Sequence, residues 1–374
     1  MPERCGVSAV SDCLPNPGRP IIAAADPFDV AEWPESECEA VERCPVCGFG
    51  QRALLHAGLT DRIFRVAPGR WNMYRCGGCG AAYLAPRPDR ATIGRAYSSY
   101  YTHCAQNAPT IRRIGMIRAL LHDWLNGYLN SRYGLARHPA RTAGRLLIPL
   151  LLPLRAAADA ECRHLARPPA GGGALLDVGC GNGRFLAVAR EMGWRAEGVD
   201  FDEQAVRAAR AEGLQVRHGG IELFDDVRER YDVITASHVI EHVHDPIGML
   251  ARIHRLLKPG GRLWLETPNL ASLGHRLYGP DWRGLEPPRH LVLFTPDSLR
   301  AALRKAGFSR ISQEFRGLVL YSIFAASEAI GRSEDVLTAS RKGRPKVSDV
   351  LAEACEMLVP GQREFLTFRA VKEK

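Results

Sequence analysis

The sequence predicts an α/β fold, a mostly parallel sheet with helices on both faces, in the second half of its 374 residues. Beyond the linker Pro168-Pro169-Ala-Gly-Gly-Gly, short apolar runs alternate with stretches of helical period, the pattern of repeated strand–helix units. The first of those runs enters a glycine-rich turn that opens into a helix, the place where an open α/β sheet binds ligands. Far upstream, two spaced pairs of cysteines add a small unit of their own.

Taken in order, Ala174–Val178 reads as a strand, 183–192 as a helix, 195–199 as a strand and 203–212 as a helix. Strands follow at 215–218, 231–236 and 262–266, with a helix at 246–257. A helix at 297–306, a strand at 309–315 and a last strand at 365–371 complete the set. Residues 318–360, with the mostly apolar run 318–330, read as a helical insertion. The resulting layout is a disordered acidic tail at 1–40, a metal-stapled unit at 41–90, a helical basic linker at 91–168 and the α/β domain at 169–374.

In the linker, Ile114, Ile117, Leu121, Trp124 and Tyr128 recur at helical intervals among Arg112, Arg113 and Arg118. Such a stripe reads as packing or, with the apolar segment Leu146–Leu154, as a basic amphipathic surface over 111–154 in peripheral contact with a membrane. No apolar run approaches the roughly 20 residues of a spanning helix, and no secretory signal is readable, so the expected location is cytoplasmic.

Net charge is +9, unevenly spread. Asp26 to Glu42 holds seven acids and no base, whereas Arg43 to Ala170 holds 19 arginines, no lysine and five acids. An excess of that kind suits an anionic partner (phosphate, nucleic acid or lipid headgroup), or reflects an arginine-rich coding bias.

Cys44-Pro-Val-Cys47-Gly and Cys76-Gly-Gly-Cys79-Gly are two C-x-x-C-G knuckles with 28 residues between them. Each offers two thiolates from one tight loop, and together they supply the four soft ligands of a tetrahedral zinc ion. The glycine after each pair permits the left-handed turn. A closed four-thiolate site stabilises and leaves no open position for catalysis. Cys5, Cys13, Cys38, Cys104, Cys162 and Cys355 lack this spacing and read as free thiols.

The glycine turn is Asp177-Val-Gly179-Cys180-Gly181-Asn-Gly183, and the next strand ends in Gly198-Val-Asp200. The spacing G-x-G-x-G is neither the dinucleotide fingerprint, because Arg184 stands where that needs glycine, nor a P-loop. A carboxylate at the second strand tip can accept hydrogen bonds from both hydroxyls of a ribose. Over 174–317 these residues, with Tyr231-Asp-Val-Ile, Ile240-Glu241-His242-Val, Leu256-Leu-Lys-Pro-Gly-Gly and Lys305-Ala-Gly-Phe, resemble the class I S-adenosylmethionine-dependent methyltransferases. They are most similar to the branch of ubiquinone-pathway O-methyltransferases and sugar C-methyltransferases. With the knuckles in front, the layout is similar to that of deoxysugar C-methyltransferases and methyltransferases of surface-glycan clusters.

That resemblance implies a Rossmann-like seven-stranded sheet whose last strand is antiparallel, and S-adenosylmethionine as cofactor. It places Gly179, Cys180, Gly181 and Gly183 around the methionine part, with Asp177 ordering the turn. Asp200 would take the ribose, Phe201, Gly220 and Ile221 would lie at the adenine, and Ser237 would close the methyl end. Relatives carry an acid after the third strand that caps the adenine amine. Here Gly219-Gly220-Ile221-Glu222 stands in that place.

Methyl transfer requires alignment, proton removal and exclusion of water. Five ionisable residues crowd 238–245 after the fourth strand, among them His238, Glu241 and His242. His242 is the expected general base, because imidazole titrates near neutrality, with Glu241 orienting it. The Glu-x-x-Glu-His run associated with a divalent metal in some quinone enzymes is altered here, since His238 replaces its first Glu. After the fifth strand, Trp282, Arg289 and His290 read as a lid, Trp282 stacking on a sugar and Arg289 or His290 holding a phosphate. The leading reading is a methyltransferase acting on a small-molecule or glycan acceptor, plausibly a nucleotide- or lipid-linked sugar. The alternatives are an RNA methyltransferase gripping nucleic acid through ribbon and linker, a quinone or lipid O-methyltransferase at the membrane, and a non-catalytic zinc adaptor. The absence of an N-P-P-[YF] motif counts against RNA.

Overall fold

The computed structural model describes residues 32–98, 116–336, 338–339 and 347–373. Most of the acidic tail and the first part of the arginine-rich stripe lie outside them. Order nevertheless begins before residue 41: Trp33 is buried edge-on against Trp71, ring centroids 5.8 Å apart. Strand β1 (Cys38–Glu39) pairs antiparallel with β5 (Arg87–Pro88). Between them β2 (Arg52–Leu59), β3 (Trp71–Cys76) and β4 (Ala82–Leu84) form an antiparallel meander.

The linker consists of α1 (Met116–Tyr133), α2 (Gly144–Leu147) and α3 (Leu152–Glu161). Its inner face is packing, as the stripe allows. Tyr128, Leu129, Tyr133 and Ile148 are buried in one cluster with Leu175, Phe185, Leu186 and Trp264 of the α/β unit. Tyr128 and Tyr133 both donate to Asp159, at 2.7 Å each.

The α/β unit follows the expected alternation closely: β6 (Ala174–Val178), α4 (Arg184–Glu191), β7 (Arg195–Asp200), α5 (Glu203–Ala211), β8 (Gln215–His218) and β9 (Tyr231–Ser237). Then come α6 (Pro246–Leu256), β10 (Leu257–Pro268), α7 (Leu273–Tyr278), β11 (Val292–Leu293), α8 (Pro296–Lys305) and β12 (Phe308–Glu314). Helices α9 (Leu320–Gly331) and α10 (Val347–Leu358) precede β13 (Phe365–Lys372). Helices α5 to α8 start on side-chain caps. The Asp202 carboxylate accepts from Gln204 and Ala205 N–H, and Thr295 with Ser298 closes a capping box ahead of Pro296.

Seven strands form one sheet in the order β12-β13-β10-β9-β6-β7-β8, in which β13 alone runs antiparallel to its neighbours. This is the Rossmann-like sheet the sequence implied. The central strands β6, β9 and β10 are buried on both faces, as Leu175, Leu176, Ile234, Leu263 and Leu265 show. The carboxyl ends of β6, β7, β8, β9, β10 and β12 therefore share one edge. The remaining short strand, β11, leaves that sheet and pairs antiparallel with β4, giving a four-stranded sheet β11-β4-β3-β2.

Candidate active site

At the tip of β6 the chain must reverse sharply enough to start α4 over the same sheet edge. It does so through Gly179, Gly181 and Gly183, at φ of 69°, 52° and 80°, the left-handed region where a Cβ is strained. Space adds a second constraint. A Cβ on Gly179 would come within 2.3 Å of Val239 Cγ2, and one on Gly183 within 2.3 Å of Leu214 Cδ1. Asp200, ending β7, accepts from Gly181 N–H at 2.6 Å and from Asp202 N–H at 2.9 Å. Burial raises its pKa, against those two hydrogen bonds. Beside it, Phe201 lies exposed next to Gly219-Gly220, where a Cβ on Gly220 would strike Phe201 Cζ and Glu222 Oε2. Exposed Leu223 and buried Ile221 border the same stretch. Cys180 packs behind the turn against Gly198, and Ser237 ends β9 half-buried.

These residues gather at the carboxyl ends of β6–β9, and their chemistry fits a nucleoside. A carboxylate stands at the second strand tip, and an exposed aromatic ring flanks bare glycine backbone. Asp177 behaves otherwise than expected. Its Oδ1 accepts from Arg163 of the linker and from Thr235 Oγ1 at 2.9 Å, so it ties the linker to the sheet and makes no hydrogen bond to the turn. Arg163 in turn stacks on Phe185, 3.8 Å from its centroid.

The other half of the site is built where β9 and β10 end. His238 follows Ser237 at φ 54°, which turns its ring between two carboxylates, Glu241 Oε1 at 3.2 Å from Nδ1 and Glu266 Oε1 at 3.5 Å from Nε2. Burial alone would lower the pKa of His238, but the two carboxylates outweigh it and push it up to about 9. Glu266 is fully buried; Arg316 and His238 overcome its desolvation and bring it down to about 2. Glu241 is also buried and accepts from Thr267 Oγ1 at 2.9 Å.

His242 Nδ1 lies 3.0 Å from the Arg289 carbonyl and 2.9 Å from Tyr97 Oη. A carbonyl only accepts, so Nδ1 carries the proton and Nε2 keeps the lone pair. His290 packs edge-on against His242, centroids 4.7 Å apart, and its Nδ1 donates to Gly284 O at 2.8 Å. Burial lowers the pKa of His290 to about 4. Ligand atoms of Glu241, His242 and His290 lie within 4.8 Å of one another.

A family profile described as a methyltransferase domain matches residues 153–313. A ubiquinone biosynthesis O-methyltransferase of Cereibacter sphaeroides is 32% identical over 165 residues, 41% of this chain and 67% of that protein. The enzyme of that name from Maricaulis maris is 32% identical over 169 residues, 40% of this chain and 66% of its own length. The chain belongs to the class I S-adenosylmethionine-dependent methyltransferases. A solved S-adenosylmethionine-dependent methyltransferase from Archaeoglobus fulgidus overlaps 55% of this chain and 87% of its own at 23% identity. Its TM-score of 0.39 is too loose to add to that assignment.

In this methyltransferase the segment after β10 is not the expected lid. Trp282 is buried and its Nε1 donates to Glu364 Oε2 at 2.9 Å, so its ring face cannot stack on a sugar. Arg289 is fully buried, with Nη1 donating to Asp61 Oδ2 at 3.0 Å and to Ala96 O at 2.8 Å, and Nε to Glu286 Oε1 at 3.0 Å. With four of its five N–H groups engaged and its surface fully enclosed, this guanidinium is out of reach of a phosphate. His290 alone of the three stays beside the site.

The four knuckle cysteines converge. Cys44 and Cys79 sulfurs are 3.7 Å apart, and Cys47 and Cys76 sulfurs 3.5 Å. Those spacings are too long for disulfides, which need about 2.05 Å. They match the ~3.8 Å edge of a tetrahedron with Zn–S bonds of about 2.3 Å. Gly48 and Gly80 sit at φ 82° and 75°, each closing its knuckle by a hydrogen bond to the first cysteine's carbonyl. Of the remaining thiols in the described residues, Cys38 is half-buried and Cys162 and Cys180 are buried, all three unbridged.

Sequence reasoning missed Asp61, Tyr97, Arg163, Glu266 and Glu286. Glu266 had a signal, a lone acid ending the apolar run Leu263-Trp-Leu. Asp61 and Tyr97 act across long sequence separations, Arg163 across 14 residues, and Glu286 pairs with Arg283 and Arg289 inside an irregular segment, so none carries a periodic pattern.

Proposed function

We propose that this methyltransferase methylates a small polar acceptor, a sugar or sugar-like hydroxyl compound, with His242 as general base. The observation that carries the proposal is the hydrogen bond from His242 Nδ1 to the Arg289 carbonyl, which leaves Nε2 as acceptor at the catalytic edge of the sheet. Asp200 would hold the cofactor's ribose, the turn at Gly179–Gly183 its methionine part, and Phe201, Gly220 and Ile221 its adenine. The bound sulfonium supplies the methyl group. His242 Nε2 takes the acceptor's proton, and Glu241 with His238 fixes the polypeptide that carries it. Four thiolates from Cys44, Cys47, Cys76 and Cys79 would hold a structural zinc.

A small acceptor is favoured over RNA because six of the 19 arginines that gave the first half its charge are committed to ion pairs within the protein. Arg62 meets Asp281 at 2.6 Å, Arg87 meets Glu39 at 2.6 Å, Arg137 meets Glu161 at 2.8 Å, and Arg132 meets Asp159 at 3.2 Å. Arg95 pairs with Glu37 and Arg163 with Asp177. Those six are withheld from a phosphate backbone.

The test is transfer of labelled methyl from S-adenosylmethionine to a panel of sugar nucleotides, catechol-type quinols and RNA. The proposal expects labelling of a sugar, and a loss of about 10²-fold or more in His242→Gln with S-adenosylhomocysteine binding kept. Labelling of RNA alone, or a His242→Gln enzyme at full rate, refutes it. The clustering of Glu241, His242 and His290 favours one second reading, a divalent cation that acidifies a bound hydroxyl. Activity abolished by chelation and restored by Mg²⁺ or Mn²⁺, while the cysteine site stays loaded, would select that reading.

A further inference from the structure

Five leucines of the linker present a face that the rest of the described chain does not cover. Leu146, Leu147, Leu150, Leu151 and Leu152 are all exposed, Leu146 to 67% and Leu150 to 77%. Buried Ile148 pins the segment from beneath. Gly144 presses it against α1 so closely that a Cβ there would overlap the Trp124 carbonyl at 1.9 Å. The leucines are therefore held outward on a rigid bend between α2 and α3. A contiguous apolar face of this kind marks a contact site on a soluble domain.

Its rim is basic. Arg145 is exposed and has no carboxylate partner among the described residues. Arg141 and Arg155 are exposed as well, and their acids stand off at 3.4 Å (Asp123) and 3.9 Å (Asp159). Leucines inside arginines, with no acid exposed between 140 and 158, complement a surface that is apolar below and anionic above.

Its position is equally specific. Strand β12 ends on the same sheet edge as β6, β7, β9 and β10. Just beyond that end a Cβ on Gly317 would lie 2.6 Å from the Pro153 carbonyl, at the start of α3. Neighbouring Arg316 pairs with Glu266 of the His238 cluster at 3.2 Å. The leucine bend thus borders the edge at which methyl transfer takes place.

We propose that Leu146–Leu152 and the arginines around it dock this methyltransferase on an anionic lipid bilayer, with the catalytic edge turned toward the headgroups. An acceptor attached to a lipid would then reach the site from the membrane plane. That last consequence rests on the acceptor reading above, whereas the docking itself does not.

The experiment is cosedimentation of the full chain with vesicles of phosphatidylcholine alone and of phosphatidylcholine with 30% phosphatidylglycerol, read without acceptor or methyl transfer. The proposal expects binding to the anionic vesicles that weakens with added salt. Leu146→Asp/Leu150→Asp should weaken it about tenfold or more, and Arg145→Glu should remove most of the preference for the anionic lipid. Unchanged S-adenosylhomocysteine binding would show that both variants are folded. Wild-type protein left in the supernatant with anionic vesicles overturns the proposal. So does equal sedimentation of the leucine variant, or a wild-type dimer that the leucine substitutions dissociate while vesicle binding is absent.

Discussion

Asp61 is distant from His242 in sequence and reaches it only through Arg289, yet replacing it with alanine is expected to disable the proposed general base. Its carboxylate takes two hydrogen bonds from the Arg289 guanidinium, at 3.0 and 2.5 Å, and three more from the N–H groups of Phe64, Val66 and Ala67. Arg289 is fully buried, so screening by water does not soften the loss. Breaking a buried pair from one side costs about 3–5 kcal/mol. Because Glu286 remains as a partner, the lower end applies, about 3 kcal/mol. A domain stable by about 5–15 kcal/mol survives this, with a melting temperature lowered by roughly 5–10 °C. The Arg289 backbone, whose carbonyl fixes the Nδ1 proton of His242, is then released. Misplacement by about 1 Å costs on the order of 10² in rate. The assay is the long-range ¹H–¹⁵N spectrum of the His242 ring, with kcat once an acceptor is in hand. Asp61→Ala should mix the tautomers and lower kcat more than it raises KM. A ring that remains Nδ1-protonated in a variant with a lowered melting temperature would refute the coupling.

Three further outcomes are expected. Asp200→Ala should weaken S-adenosylhomocysteine binding about tenfold or more in calorimetry, through the lost charged hydrogen bonds; affinity within threefold of wild type would remove Asp200 from the site. Purified protein should carry one zinc per chain by elemental analysis, and a strong chelator should lower the melting temperature and mobilise His242 together. Metal-free protein that melts unchanged would argue against a structural zinc. For His238 the folded pKa of about 9 lies above the unfolded value near 6.5. The stability it contributes is therefore complete below about pH 6.5 and lost as pH rises through about 9. Urea unfolding at pH 6 and pH 9 should show a smaller difference for His238→Gln than for wild type, and an equal difference would refute the assignment.

The parallel sheet was legible because its central strands β6, β9 and β10 carry short apolar runs buried on both faces, set between helices with readable starts. The glycine turn was legible for a related reason: three alternating left-handed positions admit little but glycine. The cysteines declared their geometry through spacing. What escaped was whatever the chain assembles over distance. Arg289 reads locally as a free cation in a proline-rich loop, and only contact with Asp61, 228 residues earlier, turns it into a buried strut. Trp282 likewise looks like a stacking platform until Glu364 is found to hold its indole nitrogen. Burial of a polar or aromatic residue in an irregular segment leaves no periodicity, so sequence alone cannot tell a ligand contact from an internal brace.

The short strand β11 sets a condition on how the protein can be made. Val292 and Leu293 lie opposite Tyr83 and Ala82, and Leu84 N–H is bonded to the Leu291 carbonyl at 3.1 Å. The cysteine-bearing meander leaves the ribosome first, with that margin of β4 open. Its missing neighbour emerges some 200 residues later, roughly 10–40 s at 5–20 residues per second. During that interval the cysteine-bearing hairpins wait with an unpaired strand edge, a site of mispairing that only completion of the catalytic domain removes. The amino-terminal unit and the enzyme it precedes thus mature as one body, and a truncation ending before residue 292 should yield an aggregation-prone fragment.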